Sequence, residues 1–95
     1  MRIDFKHFTV PTGINGLHKR TGDARESFAD IIYTMVNGIR AHALAMKIYK
    51  SDGAVEYTDD EVRLMKGLAE RYCTPAFIDG LRAQIQKGGV DESGV

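Results

Sequence analysis

The stretch KIYKSDGAVEYTDDE, residues 47–61, constrains this chain more than any other. Within it one helix must stop, the chain must turn at Asp52-Gly53, run briefly extended through Val55 and Tyr57, and start another helix. Thr58 and Glu61 have capping-box spacing, and Asp59 and Asp60 sit where the helix dipole favours negative charge. Val62, Met65, Leu68, Ala69 and Tyr72 then fall on one helical face. The same outline belongs to a calcium-binding helix-loop-helix. Such a loop needs oxygen ligands at positions 1, 3, 5 and 12, Gly at 6 and an apolar residue at 8. Placing Gly53 at position 6 puts Asp52 at 5, Val55 at 8 and Asp59 at 12, but Ile48 at 1 and Lys50 at 3. A hydrocarbon and a cation stand where carboxylates are required, and Glu61 is two residues late. The stretch reads as a scaffold corner without a metal.

The remaining chain divides around that corner. In RIDFKHFTV, residues 2–10, Ile3 and Phe5 alternate with Asp4 and Lys6, as in a strand with one buried face. Phe8 and Val10 shift the phase, which calls for a bulge or a strand end near His7. PTGING is turn-rich, and residues 15–20 can return as a second strand of a hairpin. Asp23 and Glu26 have the spacing of another capping box, followed by the stripe Phe28, Ile31, Ile32 and Met35. Asn37-Gly38 can close this helix. A second helix carries Ala41, Leu44, Ala45 and Ile48, its alanines allowing close approach. Thr74-Pro75 opens a fourth, with Phe77, Ile78, Leu81 and Ile85 on one face and Gly88-Gly89 as its stop. The expected fold is mainly helical α+β, with about four helices packed on a small antiparallel sheet. That sheet combines an N-terminal strand or hairpin with a short strand at 54–57. Residues 1–88 form one globular domain, and 89–95 a flexible tail with little to bury.

Ninety-five residues bury only roughly 60–65% of their unfolded surface, enough for one modest core. Formal charge is zero, which argues against a protein that coats nucleic acid or membrane. The halves differ, however: residues 1–50 carry eight Lys/Arg against four Asp/Glu, and residues 51–95 five against nine. Such asymmetry can orient docking or self-association. Cys73 is the single cysteine, so no intrachain disulfide exists. MRIDFKHF lacks the apolar core of a signal peptide, and no apolar run nears the ~20 residues of a membrane span. The expectation is a cytoplasmic protein.

Chemistry-bearing motifs are sparse. His7, His18 and His42 have no metal-ligand spacing to one another or to Cys73. Asp59, Asp60 and Glu61 are consecutive on a helix, so they point apart and cannot flank one substrate bond. Cys73 precedes a helix start, a position that lowers a thiol pKa, yet no histidine adjoins it in sequence. No catalytic, cofactor-binding or metal site is expected, and the protein reads as a non-enzyme. The glycines of TGINGLHKRTG fit neither a Walker A loop nor a dinucleotide fingerprint. His18, Lys19, Arg20 and Arg25, with Lys6, form a basic patch able to meet nucleic-acid phosphate. Helices at 58–72 and 75–87 resemble a helix-turn-helix in outline, but the second offers only Arg82 and Lys87 as basic residues. Four Tyr and four Met supply adaptable apolar surface for a protein partner or for self-association.

The run FADIIYTMVNGIRAHALAMKIYKSDGAVEYTDDEV resembles small uncharacterised proteins of bacterial genomes and prophages. There, an N-terminal strand precedes a helix ending in Ile-Tyr-Thr, then a Lys-Ile-Tyr-Lys helix, a Gly-Val-Glu strand and an acidic helix start. The resemblance covers about residues 25–65, carries no catalytic motif, and implies a setting of phage structural or tail modules. The expected function is a non-enzymatic interaction or assembly protein, with a phage-type structural or accessory role as what the resemblance implies. The alternative is a small nucleic-acid-binding regulator using the patch near residues 18–25.

Overall fold

The computed structural model describes residues 1–93 of the chain, with the side chains of residues 87–93 left aside. Strands β1 (Arg2–Asp4), β2 (Phe8–Pro11) and β3 (Lys19–Gly22) precede helices α1 (Arg25–Met35) and α2 (Ile39–Tyr49). Strand β4 (Ala54–Glu56) and helices α3 (Asp59–Tyr72) and α4 (Pro75–Ser93) complete the order. The mainly helical α+β class is as the sequence implied. The sheet is two separate antiparallel ladders: β1 with β4, Ile3 opposite Val55, and β2 with β3, Phe8 opposite Gly22. Their division falls where the apolar phase slipped. The Asp4 carboxylate accepts from the backbone amides of Lys6 and His7, both at 2.9 Å, and turns the chain between β1 and β2. The return strand therefore lies at 19–22, while residues 15–18 belong to the loop.

Both signals in the first helix shift by a residue or more. Ala24 is the N-cap of α1 and caps nothing through its side chain. Asp23 lies one residue too early. Its carboxylate instead accepts from the Arg25 amide and grips the Arg25 guanidinium at 2.7–3.1 Å. Ala24 N–H is taken by Phe5 O at 2.8 Å, which fixes the helix start against the β1–β2 turn. Asn37-Gly38 does not close α1 in a left-handed turn. Val36 caps it in extended conformation, and Gly38, at φ 114° and ψ 150°, enters α2. That region is open to glycine alone, so Gly38 makes the three-residue link between the two helices possible.

The corner folds as its sequence predicts. Thr58 Oγ1 accepts from Glu61 N at 3.2 Å, and Glu61 Oε1 accepts from Thr58 N at 2.8 Å, completing the capping box. Thr74 caps α4 more weakly, accepting from Phe77 N at 3.3 Å. Helix α4 continues past Gly88-Gly89. A helical glycine costs about 1 kcal/mol against alanine but does not by itself break a helix. Of the tail expected at 89–95, residues 94–95 lie outside the described residues.

All four phenylalanines and Tyr57 meet in one cluster. Phe5 lies 5.5–5.9 Å from Phe8, Phe28 and Tyr57, and Phe77 lies 4.8 Å from both Phe8 and Phe28, stacked on the first and tilted against the second. These separations suit offset and edge-on aromatic pairing. The cluster joins the β1–β2 turn, α1, α4 and the residue before Thr58. Ile3, Ile32, Leu44, Ile48 and Met65 extend it into the remaining core. Two devices seat α4. Gly80 lets the helix lie against β2, since a Cβ there would stand 2.6 Å from Thr9 O. Gln84 donates to Asp4 O at 2.7 Å and accepts from Asp4 N at 2.9 Å, standing in for a strand neighbour at the edge of β1.

Candidate functional site

Helices α1 and α2 form a hairpin whose inner faces are buried through Phe28, Ala29 and Ile32, and through Ala41, Leu44, Ala45 and Ile48. Each helix also bears a second stripe on its outer side. On α1 it is Glu26, Asp30 and Tyr33; on α2 it is His42, Met46 and Tyr49. Both run i, i+4, i+7, so each forms a straight row on its helix. The rows flank a groove of about 380 Å³ floored by Ala29 and Ala45. Tyr33 is 63% exposed and Tyr49 53%, and the Tyr33 ring lies 5.7 Å from the His42 ring. Met35 and Ile39, near the link between the helices, are also exposed. Isolated surface apolar side chains need no explanation; here three of them, Tyr33, Met46 and Tyr49, share one groove. The spacing that reveals these rows was present in the sequence, but beside the stronger core stripes it carried no mark of exposure.

The β2–β3 hairpin presents a second apolar feature. Its loop is held by Thr12 N–H to His18 O at 2.9 Å, Gly16 N–H to Gly13 O at 3.0 Å and Leu17 N–H to Asn15 Oδ1 at 3.0 Å. Ile14 is fully exposed, and Leu17 is 78% exposed. His18, Lys19 and Arg20 follow directly, all exposed. The basic patch is therefore partly present. Arg25 is drawn out of it, for its guanidinium is bound to Asp23 and donates to Ser51 O at 2.6 Å. That hydrogen-bonded pairing holds the Asp23 carboxyl down at about 2. Lys6 is also committed, to Asp52 at 2.6 Å.

In the corner that resembles a calcium loop, Asp52 thus faces a lysine. Glu61 is shared between the helix cap and Lys47 Nζ at 2.8 Å. Lys47 also lies 4.7 Å above the Tyr57 ring. Among the described residues no three His, Cys, Asp or Glu side chains converge.

The scattered titratable groups stay apart. His42 lines the α1–α2 groove, Cys73 caps the end of α3, and His7 faces a cleft between the β-turn and α4. Burial pushes the Cys73 thiol up, overriding the lowering expected beside a helix start. The His7 cleft, about 610 Å³, holds one ordered pair, His7 Nδ1 to Asp4 Oδ2 at 3.1 Å. Burial raises the Asp4 carboxyl, but hydrogen bonds from the His7 amide and ring and the Lys6 amide outweigh it and hold the group low. The nearby Thr9 hydroxyl is bonded to that of Thr21 at 2.6 Å, and Gln84 is committed to the Asp4 backbone. The Asp4–His7 pair therefore organises a turn.

No protein family, curated protein or solved structure matches this chain.

Proposed function

We propose that this protein is a non-enzymatic interaction or assembly factor that self-associates through the outer face of α1 and α2. The observation that carries the reading is the paired row of Tyr33, Met46 and Tyr49 over Ala29 and Ala45, an adaptable apolar trough with a polar rim. Tyr and Met are enriched at the cores of protein interfaces. The resemblance of residues 25–65 to prophage-encoded proteins fits a phage-type structural or accessory role in the cytoplasm. The test is molar mass by light scattering on a sizing column over a wide concentration range. Mass rising above the 10.5 kDa monomer supports the reading, and strictly monomeric behaviour at the solubility limit overturns it.

The nucleic-acid reading has one observation behind it. Lys19 and Arg20, on opposite faces of β3, have no salt-bridge partner among the described residues and, like His18, are exposed. With Arg25 and Lys6 neutralised, the remaining patch is small. Retardation of DNA or RNA at low salt, steeply salt-dependent and lost in Lys19→Glu and Arg20→Glu, would establish it.

A further inference from the structure

The apolar loop of the hairpin and the α1–α2 groove are separate surfaces: none of the residues lining the groove comes from the loop. Their chemistry matches. The loop offers Ile14 and Leu17 outward, followed by the cations Lys19 and Arg20. The groove offers Tyr33, Met46 and Tyr49 over a small-residue floor, with the carboxylates Glu26 and Asp30 along one edge. None of these four charged groups has a salt-bridge partner among the described residues.

We propose that the groove receives the β2–β3 hairpin tip of a second copy of this chain. This rests on the self-association reading and names the contact that produces it. Leu17 and Ile14 enter between the tyrosines; Lys19 and Arg20 leave β3 on opposite faces, so one of them meets Glu26 and Asp30. The contact is heterologous: one surface of the first copy meets a different surface of the second, leaving a free tip at one end and a free groove at the other. Such contacts close into rings or extend as filaments. The loop is already held by its own hydrogen bonds, so little ordering accompanies docking.

The test uses two single variants of the full chain, Leu17→Asp on the tip and Tyr33→Lys in the groove. Both sites are exposed, so the melting temperature should stay near that of the parent; Met46→Lys is a second groove variant. Each variant alone should run as a monomer, because each association needs both surfaces. An equimolar mixture should give twice the monomer mass and nothing larger, since only one intact tip-groove pair can form per couple. Added salt should weaken association modestly through the rim charges. If Leu17→Asp keeps the parent's mass, the hairpin is not the occupant, and the proposal falls while self-association stands. If that variant also retards DNA through Lys19 and Arg20, the hairpin belongs to nucleic acid and the proposal falls likewise. A mixture that stays monomeric overturns the head-to-tail geometry. A parent chain that never exceeds monomer mass overturns both readings.

Discussion

Helices α3 and α4 follow one another with only Cys73 and Thr74 between them, yet they are encoded in different ways. Helix α3 carries its instructions locally. It has a complete capping box, three acidic residues in its first turn, and a stripe of Val62, Met65, Leu68 and Ala69 that is buried as spaced, while Tyr72 at its end stays exposed. Helix α4 has a longer cap bond, no acidic residue in its first turn and a glycine in its second. What holds α4 is tertiary: the Gly80 contact with β2, the Gln84 clasp on Asp4, and Phe77 in the aromatic cluster. The pair shows that a segment with weak local signals can be as firmly placed as one with strong signals, provided specific partners compensate.

Substituting Gly80→Ala should separate the two regimes most sharply. Alanine is the better helix former by about 1 kcal/mol, so local encoding predicts a gain. A Cβ at 2.6 Å from Thr9 O must push the helix off the strand, and overpacking of this kind costs about 1–3 kcal/mol or more. The expected result is a net loss of about 2–3 kcal/mol in denaturant unfolding, with the hairpin amides losing hydrogen-exchange protection. A net gain would show that α4 does not need its contact with β2. The joint before α3 has a tertiary weakness of its own. Tyr57 is buried beside Ser51, whose hydroxyl proton is given to Ile48 O, and the Tyr57 hydroxyl has no hydrogen-bond partner among the described residues. Burial pushes its pKa up to about 12 from 10.0. Below pH 10 both states hold the proton, and above it the unfolded chain releases its proton first, so stability falls as pH rises. The loss should reach about 2 kcal/mol by pH 12, and Tyr57→Phe should abolish that part of it. An unchanged alkaline slope in Tyr57→Phe would show that the hydroxyl is hydrated.

How far the sequence could be read follows the same division. The corner at 47–61 was legible because each of its signals acts within four residues: the turn glycine, the cap and the acidic first turn. The four apolar stripes were legible because burial on one face imposes a period. The slipped cap at Asp23 was not, since its carboxylate meets a stronger donor in Arg25, and the Phe5 carbonyl fixes the helix start. The two ladders were read as one sheet because strand pairing depends on which turn Asp4 makes. Nothing near Gly80 in sequence marked it for close packing, since its neighbour Thr9 lies on a distant strand. For the candidate site, the composition announced adaptable tyrosines and methionines. Their assembly into one groove, and the removal of Arg25 from the basic patch, depend on contacts between residues far apart in sequence.

Smaller effects refine the contrast. Gln84→Ala removes two hydrogen bonds from the backbone of Asp4, leaving a partly buried amide and carbonyl without their partner. A loss of about 1–2 kcal/mol is expected, with faster amide exchange at Asp4, and no loss would mean water replaces the side chain. Thr58→Ala breaks the capping box on the other helix and should lose about 1 kcal/mol. That loss should appear without changed protection in the hairpin.

The smallest effect tests local encoding from the opposite direction. Gly67 lies within α3, as Gly80 lies within α4, and both are flanked by helical backbone. A Cβ at Gly67, unlike one at Gly80, meets nothing within 4 Å. Gly67→Ala therefore changes only backbone freedom in the unfolded chain and helix propensity in the folded one. It should stabilise by about 0.5–1 kcal/mol, raising the melting temperature by a few degrees. The two alanine substitutions are chemically identical and differ only in what surrounds them, so opposite signs isolate the neighbour as the cause. If Gly67→Ala instead weakens the protein or dissociates an oligomer, the open face of α3 is itself covered by another copy. The contact surface would then reach beyond the α1–α2 groove.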